Sequence, residues 1–245
     1  MKLSVIIPSY RRHELTARHF EYCLKATHLP DEIIVVNDGG DPGLKEMLLT
    51  HKWDKTKTKV IYAEVMEDIL WNYNGACNLG FWLSTGDVIA LEDADHIPLP
   101  EAYRNGFTVL EDPKVDRVTF ARISVDIKDV MQNDIRDWVK IQSWGSNQMV
   151  GMFRRDLYLK LKGQDEGFAR HYGYMAYDWP AIYKKAGMIS KQTGYYFAVV
   201  GDGGEPGLQR GLSPENRRRY RTNCANPHYH GKWGLLNFEY KYEVL

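Results

Sequence analysis

Cysteine is scarce in this chain of 245 residues, which has three: Cys23, Cys77 and Cys224. The number is odd, the three are far apart and no Cys-x-x-Cys pair occurs, so the sequence indicates neither a disulfide framework nor a structural zinc knuckle. Reduced thiols fit the cytosol best. We therefore expect a cytoplasmic protein.

An excess of charge of one sign and a long apolar run are also missing. The chain has 32 Lys plus Arg and 32 Asp plus Glu, a formal net charge of zero, which gives no electrostatic reason to expect nucleic acid or an anionic membrane as the main partner. The first apolar run ends at Pro8, too early for a signal-peptide core or a membrane span, and no later run reaches spanning length. We expect no nucleic-acid partner and no membrane span.

The composition is that of an ordinary globular protein, with 44% hydrophobic and 26% charged residues. A length of 245 residues is compatible with one large domain or two small ones. Because no internal repeat and no low-complexity linker interrupts the chain, we expect a single domain.

Short β-branched runs alternate with helix-like stretches in the first half. Strands are predicted at residues 3–7, 33–36, 60–63 and 88–91, and helices at 14–26, at 72–84 and from the Asp41-Pro42 pair onward. Runs that are apolar on both faces are typical of a buried parallel sheet. The alternation predicts an α/β fold with right-handed crossovers. In the less regular second half we predict strands at 118–123 and 195–200 and helices at 155–161 and 179–186.

Polar residues follow three of the predicted strands, at the edge where ligands of an open parallel sheet collect. The clusters are Pro8-Ser9-Tyr10-Arg11, Asn37-Asp38 and Glu92-Asp93-Ala94-Asp95-His96. In the third cluster, Asp93 and Asp95 would repel each other unless a cation or water lies between them. A bare Asp-x-Asp is more often a solvated acidic loop, but its place after a buried strand favours a divalent metal ion.

The order and spacing of these motifs resemble the inverting glycosyltransferases of family 2, which have the GT-A fold. Segments 4–10 and 34–39 look like the family's first strand with its donor loop and its second strand with the aspartate that holds the nucleotide base. Asn78-x-Gly80 and segment 86–95 are similar to its Asn-x-Gly helix and metal-binding Asp-x-Asp. The resemblance runs from about residue 3 to residue 187, and residues 71–98 also resemble the galactosyltransferase and N-acetylgalactosaminyltransferase families.

The resemblance implies a Rossmann-like, mostly parallel sheet flanked by helices, in one GT-A domain over residues 1–245. The half up to about residue 110 would bind the donor, and residues 111–245 the acceptor. The implied reaction moves a sugar from a nucleotide diphosphate to a hydroxyl group of a glycan or other acceptor, assisted by Mn²⁺ or Mg²⁺. A UDP sugar is favoured because of the Asp-x-Asp, although GDP and dTDP donors occur among relatives.

The resemblance also assigns roles to individual residues. The donor-binding residues that it implies are Pro8, Ser9, Tyr10, Arg11, Asp38, Asn78, Asp93 and Ala94. Asp93 and Asp95 would hold the metal ion. Cys77 stands where the family often has an arginine, which removes one expected contact to the pyrophosphate. His96 replaces a common third acidic residue, so an approach of His96 to the metal stays open.

Segments 151–156 and 163–168 look like those that precede the family's catalytic carboxylate, which places that carboxylate at Asp178. Asp178 would take the acceptor proton on the face opposite the diphosphate, so that one displacement inverts the anomeric centre. Position alone favours a helix N-cap at Asp178, with Trp179 as the first helical residue. Tyr177 stands where the family often has glutamate.

Two histidines near the end of the chain are candidates for the metal site. His228 and His230 would share one face of an extended segment, and related GT-A enzymes often bring a distant histidine to the metal. Either one of them completes the site, or both are surface histidines in a loop.

Two other features of the second half bear on the substrates. The glycine-rich run 201–207 and the arginines of 210–221 are either a mobile lid over the diphosphate or a solvated basic loop. We expect the choice of acceptor to depend on tryptophans such as Trp138, Trp144 and Trp179.

Two rival functions stay open. A nucleotidyltransferase would need a glycine-rich phosphate loop after the first strand, and segment 8–12 has no glycine. A catalytically inactive carbohydrate- or nucleotide-binding protein of the same fold is the other rival, since the seven Trp and 16 Tyr residues would stack on sugars in either case.

Overall fold

The computed structural model describes residues 1–39, 42–200, 211–226 and 238–245, without the side chains of residues 144, 195 and 197–200. The strands in these ranges are β1 (Leu3–Ser9), β2 (Glu32–Asn37), β3 (Lys59–Val65), β4 (Val88–Leu91), β5 (His96–Pro98), β6 (Arg117–Asp126), β7 (Gln142–Trp144), β8 (Gly151–Arg154), β9 (Ser190–Val200) and β10 (Tyr240–Val244). The α-helices are α1 (His13–Leu24), α2 (Leu44–Thr50), α3 (Tyr73–Leu83), α4 (Ala102–Leu110), α5 (Ile127–Gln132), α6 (Arg155–Lys160), α7 (Met175–Lys185) and α8 (Pro214–Ala225).

One sheet runs through both halves of the chain. Its strand order is β10-β3-β2-β1-β4-β8-β6-β9-β5, with β7 paired to β6. The four strands of the first half are parallel to one another. The strand β8 lies between β4 and β6 and is antiparallel to both, and β10 is antiparallel to β3. The α/β fold is therefore confirmed, with parallel pairing in the first half and mixed pairing beyond β4.

The central strands are buried because helices cover both faces of the sheet. Successive side chains of β1 point to opposite faces, so Val5 packs with Phe20 of α1 in one hydrophobic cluster, while Ile6 packs with Leu79 of α3 in the other. Every residue of β1 and of β2 is buried. Continuous apolar runs are the consequence, and they explain why these strands are readable in the sequence.

Gly80 sets the distance between α3 and the sheet. A Cβ atom at this position would lie 2.3 Å from Cγ2 of Ile6 on β1, closer than non-bonded carbon atoms approach. The glycine of the Asn-x-Gly segment therefore lets α3 pack directly on the central strand. This contact brings the start of the helix, and the loop before it, to the carboxyl ends of β1 and β2.

Two helix starts differ from the expectation. The helix α7 begins at Met175, with Tyr174 at the N-cap, so Asp178 lies inside the helix rather than at its N-cap. The helix α2 begins at Leu44 after Gly43, not at the Asp41-Pro42 pair, of which Asp41 lies outside the described residues.

The arginine-rich segment is also different, because residues 214–225 form the helix α8 and not a loop. Ser213 caps it by accepting hydrogen bonds from the backbone N–H groups of Glu215 and Asn216, and Pro214 occupies the first turn. A serine cap followed by proline is a strong start signal for a helix. The run 201–207 lies outside the described residues.

Two smaller expectations concern the cysteines and the membrane. All three cysteines are free: Cys23 and Cys77 are buried, and Cys224 on α8 is partly exposed. Among the described residues, no helix combines the length and the apolar character needed to cross a bilayer.

Candidate functional site

A cleft of about 630 Å³ opens where the parallel strands end. Six of the eight residues predicted to bind the donor line this cleft: Pro8, Ser9, Tyr10, Asp38, Asp93 and Ala94. Asp95 lines it as well. Arg11 and Asn78 do not line the cleft, and neither does Asp178. His228 and His230 lie outside the described residues.

Asp38, directly after β2, is the buried carboxylate at one end of the cleft. Its backbone N–H donates to the carbonyl oxygen of Ser9 at 2.7 Å, and Nδ2 of Asn72 donates to its Oδ1 at 2.8 Å. Burial raises the pKa of Asp38 to about 7, although the hydrogen bond from Asn72 acts in the opposite direction. Asp38 is therefore an acceptor placed for a ligand that brings its own hydrogen-bond donor.

Tyr10 and Arg11 are held by Asp68, a residue that the sequence did not single out. The Tyr10 hydroxyl donates to Oδ1 of Asp68 at 2.9 Å, and the Arg11 guanidinium pairs with Oδ2 at 2.6 Å. Arg11 also lies over the Tyr10 ring, 5.0 Å from its centroid. Tyr10 is fixed at the wall of the cleft, whereas Arg11 is directed to Asp68 and does not line the cleft.

Asp93 and Asp95 lie together with His96 in the turn between β4 and β5. Oδ1 of Asp95 is 2.7 Å from Nδ1 of His96, and its Oδ2 is 3.2 Å from Nη1 of Arg12. Oδ2 of Asp93 accepts from Nδ2 of Asn147 at 3.0 Å. Oδ1 of Asp93 is buried and makes no well-formed hydrogen bond in the described part of the chain; the Tyr73 hydroxyl, which also makes none, lies close enough to the carboxylate to lower its pKa.

The electrostatics of this turn differ between the two aspartates. Burial raises the pKa of Asp93, and the charge of Asp95 adds to this against the opposing effect of His96. Burial acts on Asp95 in the same sense, but His96 and Arg12 outweigh it and hold the pKa of Asp95 well below its usual range. His96 lies near both carboxylates, with its Nδ1 3.6 Å from Oδ2 of Asp93, whereas the Arg12 guanidinium is paired with Asp95.

These residues fit a divalent metal ion. Asp93, Asp95 and His96 each offer a ligand atom, and the three atoms lie within 4.8 Å of one another. Carboxylate oxygens are the ligands that Mg²⁺ and Mn²⁺ prefer. Oδ1 of Asp93, which makes no well-formed hydrogen bond among the described residues, is the particular feature that a cation would satisfy, since a buried polar atom without a partner is costly.

A second polar cluster lies directly behind this turn. Glu92 accepts from Nε2 of His19 at 2.6 Å, from the Tyr196 hydroxyl at 2.9 Å and from the Tyr103 hydroxyl at 3.1 Å. Nδ1 of His19 lies 3.3 Å from the carbonyl oxygen of Ala94. All of these side chains are buried, so the cluster holds the turn from behind and leaves Glu92 no free oxygen for a ligand.

Asn78 is used elsewhere, contrary to the expectation of a donor contact. Its Nδ2 donates to the carbonyl oxygen of Gln164 and to Oε1 of Glu166, while its Oδ1 accepts from the Tyr158 hydroxyl and the backbone N–H of Gln164. The amide is therefore fully occupied in anchoring the 164–166 segment to α3. Nothing in the sequence distinguishes this role from a ligand contact.

Asp178 lies behind the wall of the cleft. It is 2% exposed, and its Oδ1 accepts from Nδ2 of Asn223 on α8 at 2.9 Å. The same Nδ2 is 3.2 Å from Oδ2 of Asp165. The residue before it, Tyr177, does line the cleft.

The aromatic residues of the cleft are not the expected tryptophans. Trp138 and Trp179 are buried in hydrophobic clusters, and the side chain of Trp144 lies outside the described part. The aromatic side chains that line the cleft are Tyr10, Trp71, Tyr73, Tyr172, Tyr174 and Tyr177. The tyrosine-rich run 172–177 is a sequence signal that indicates three of these six residues.

Two proteins that are similar to part of this chain are both described as glycosyltransferases. An uncharacterized glycosyltransferase of Rickettsia bellii is 35% identical over 96 residues, 39% of this chain and 13% of the relative. An uncharacterized glycosyltransferase of Nostoc sp. is 32% identical over 101 residues, 41% of this chain and 30% of the relative. The matched regions are thus less than a third of either relative.

Solved structures share the fold. Residues 1–349 of S. aureus TarS superpose with a TM-score of 0.67 at 13% identity, covering 92% of this chain and 64% of that one. A mannosyltransferase of Pyrobaculum calidifontis, in complex with GDP-Man and Mn²⁺, superposes with a TM-score of 0.58 at 17% identity, covering 91% and 61%. At such identities the likeness concerns the fold alone, and it confirms the GT-A architecture. The further similarity to galactosyltransferases and N-acetylgalactosaminyltransferases stays a prediction.

The family model described as glycosyl transferase family 2 matches residues 4–173, a span that includes every strand end of the cleft. Since the match covers well over half of the chain, this protein belongs to glycosyl transferase family 2.

Proposed function

We propose that the protein is a metal-dependent, inverting glycosyltransferase that moves a sugar from a UDP sugar to an acceptor hydroxyl group. The observation that carries the proposal is the buried Oδ1 of Asp93, which makes no well-formed hydrogen bond among the described residues, beside Asp95 at the end of β4. A carboxylate in this state is suited to a cation and to the charged group that the cation accompanies.

Asp93 and Asp95 would hold Mn²⁺ or Mg²⁺, which supplies charge neutralisation for the leaving diphosphate when bound. Arg12 lines the same part of the cleft, 3.2 Å from Asp95. It adds a positive charge beside the diphosphate, which partly replaces the arginine that the family often has at the position of Cys77.

The nucleotide base would lie at the other end of the cleft, between Tyr10 and Asp38. Uracil carries an imide N–H, and the Asp38 carboxylate accepts such a donor in its ionised form. Pro8, Ser9 and Ala94, which form part of the cleft wall, would make the remaining contacts with the donor. TarS is known in complexes with UDP and with UDP-GlcNAc, and the Pyrobaculum enzyme with GDP-Man, so both bases belong in the test.

Asp178 would act as the general base toward the acceptor hydroxyl. It follows Tyr177 of the cleft wall, and its hydrogen bond from Asn223 stabilises the ionised carboxylate. Because the carboxylate is directed to α8, the proposal requires α8 or the Asp178 side chain to shift when substrates bind. A carboxylate suffices as base if proton transfer lags behind an oxocarbenium-like transition state, as in glycoside hydrolysis.

Thermal unfolding tests the donor site. UDP, GDP and dTDP are each added with and without Mn²⁺ to the wild type, to Asp95→Asn and to Asp112→Asn, a surface carboxylate paired with Lys191. A nucleotide at 100 times its dissociation constant stabilises the native state by about 2.7 kcal/mol. We expect a Mn²⁺-dependent shift with UDP that Asp95→Asn loses and Asp112→Asn keeps. No shift with any nucleotide, or a shift that survives in Asp95→Asn, would refute the proposed site.

Turnover in Asp178→Asn tests the base and the rival of an inactive binding protein. The burial of Asp178 is the observation that favours that rival. We expect donor hydrolysis by the wild type and a loss of about 10²–10⁴-fold in the variant, with the nucleotide-induced shift unchanged. Binding without hydrolysis in the wild type would decide for the inactive protein. Equal hydrolysis by both proteins would place the base at another residue.

A further inference from the structure

Three tyrosines form a group at the end of the cleft where α7 begins. The ring centroids of Tyr174 and Tyr220 are 5.8 Å apart with an interplanar angle of 28°, and Tyr177 lies 6.0 Å from Tyr174 and 6.3 Å from Tyr220. Tyr174 and Tyr177 line the cleft, and Tyr220 supports them from α8. Tyr177 is 58% exposed, so a large part of its ring is free to contact a ligand.

The backbone before α7 fixes how these rings are presented. Gly173 and Tyr174 both have left-handed backbone conformations, with φ of 93° and 67°. Nδ2 of Asn216 donates to the carbonyl oxygens of Phe168, His171 and Gly173, at 3.1, 2.7 and 3.0 Å, and so ties this turn to α8. A tyrosine in the left-handed region is strained, and such strain is retained mainly where a site depends on it.

The chemistry of this end of the cleft is neutral and amphipathic. The lining residues that the structure describes between 172 and 177, together with Leu212, include no charged side chain. Elsewhere in the lining, Gln148 and Ser146 offer uncharged hydrogen-bonding groups, and the charged Arg122 donates to the carbonyl oxygen of Gly145. Aromatic walls with a few neutral polar groups suit a ligand that has an apolar face and hydroxyl groups at its rim.

The tyrosines also lie where an acceptor belongs. Tyr177 precedes Asp178 in α7, and Asn223, which donates to Asp178, lies one turn after Tyr220 on the same side of α8. A ring bound on Tyr177 would therefore lie on the cleft side of the wall that encloses Asp178, and it would reach the carboxylate after the shift of α8 or of the Asp178 side chain proposed above.

We propose that Tyr174 and Tyr177, supported by Tyr220, are an acceptor subsite that stacks on the C–H face of a pyranose ring, so that the acceptor is a glycan. The inference rests on the function proposed above and specifies its acceptor. A phosphate-bearing or lipid acceptor would call for charged or extended apolar contacts, which the described lining of this end lacks. Stacking would hold one hydroxyl group of the ring against the part of the wall that covers Asp178.

Saturation-transfer NMR tests the subsite with methyl β-D-glucopyranoside as the probe, in the presence of UDP and Mn²⁺. Glycerol serves as an acyclic polyol, and octyl phosphate as a lipid-like phosphate. The proteins are the wild type, Tyr177→Ala, Tyr177→Phe and Tyr242→Ala; Tyr242 on β10 is also 58% exposed and is the matched control.

We expect transfer to the protons of one ring face, and a dissociation constant for the glucoside about tenfold higher in Tyr177→Ala. Tyr177→Phe should keep the affinity because it keeps the ring, and Tyr242→Ala should leave it unchanged. Equal affinity in Tyr177→Ala and the wild type, equal binding of glycerol, or binding of octyl phosphate alone would overturn the inference. The UDP-induced thermal shift of the same samples reports separately on the donor site, so its loss in the wild type would be a failure of the proposed function.

Discussion

Glu92 and Asp93 follow one another at the end of β4, yet their carboxylates are in opposite situations. Glu92 is 0% exposed and accepts from His19, Tyr103 and Tyr196. Asp93, one residue further, has an oxygen that makes no well-formed hydrogen bond in the described part of the chain. Successive side chains of an extended chain point in opposite directions, so Glu92 points into the protein interior and Asp93 points toward the cleft.

The difference shows how a binding site is distinguished from a buried polar network. A network whose members all have partners is rigid and specifies one packing, whereas an unsatisfied carboxylate at the wall of a cleft is placed to be completed by a ligand. Glu92 and His19 therefore hold the turn in place, and Asp93 and Asp95 are the groups on which a cation acts. Three substitutions test this contrast.

The largest effect is expected for Glu92→Ala. The substitution leaves His19 and the hydroxyl groups of Tyr103 and Tyr196 without their buried acceptor, and breaking such a set typically lowers the free energy of unfolding by about 3–5 kcal/mol. Urea denaturation measures the loss. Glu64→Ala, which removes a partly exposed carboxylate paired with Lys241, should change the stability by less than about 1 kcal/mol. Similar losses in the two variants would remove the distinction drawn for Glu92.

Asp38 is intermediate between Glu92, which has several hydrogen-bond donors, and Asp93, which has an oxygen without a well-formed hydrogen bond. Its carboxylate accepts from one side-chain donor, and its pKa in the folded state is about 7. The unfolded value is about 3.9, so the folded state favours the protonated carboxyl, and the contribution of Asp38 to stability falls as the pH rises from 4 to 7. Asp38→Asn should thus be more stable than the wild type at pH 8, by on the order of 4 kcal/mol, and nearly equal to it at pH 4.

Urea denaturation of both proteins at the two pH values measures this difference. Asp112→Asn is the control, because the pKa of that exposed carboxylate is lowered by its hydrogen bond with Lys191, so the substitution should bring no gain at pH 8. A stability difference for Asp38→Asn that is the same at both pH values would contradict the assigned environment.

The smallest effect on stability is expected for Asp93→Asn in the presence of a chelator. The pKa of Asp93 is raised by burial and by Asp95. Removing its charge at pH 7 therefore removes the cost of burying that charge and its repulsion by Asp95, and the asparagine oxygen still accepts from Asn147. We expect a gain below about 1 kcal/mol, measured by urea denaturation. Adding Mn²⁺ should stabilise the wild type and not the variant; equal stabilisation of both would show that the cation binds elsewhere.

The sequence predicted the first half of the fold because burial on both faces leaves a readable pattern. The strand β8 was missed, since Gly151, Arg154 and their neighbours have no strand-like pattern and are extended through pairing with β4 and β6. The helix α8 differs from the predicted loop although Ser213 and Pro214 are start signals, because its polar, arginine-rich sequence has no periodic apolar residues and the residues it buries are asparagines.

The candidate site was predictable where it follows from strand ends. Asp38, Asp93 and Asp95 are brought together by the parallel order of β2, β1 and β4, which a sequence pattern can predict. The role of Asn78 and the tyrosines of 172–177 depend on how helices and loops are oriented in space, and local sequence does not determine that orientation.

Cys224 makes α8 accessible to site-directed labelling without any substitution. The thiols of Cys23 and Cys77 are fully enclosed, and burial raises their pKa, so both react slowly with maleimides. Cys224 is partly exposed on the helix that carries Asn223, the donor to Asp178. A fluorophore or spin label attached to the natural protein would thus report the position of α8, and with it whether the helix releases Asp178 during turnover.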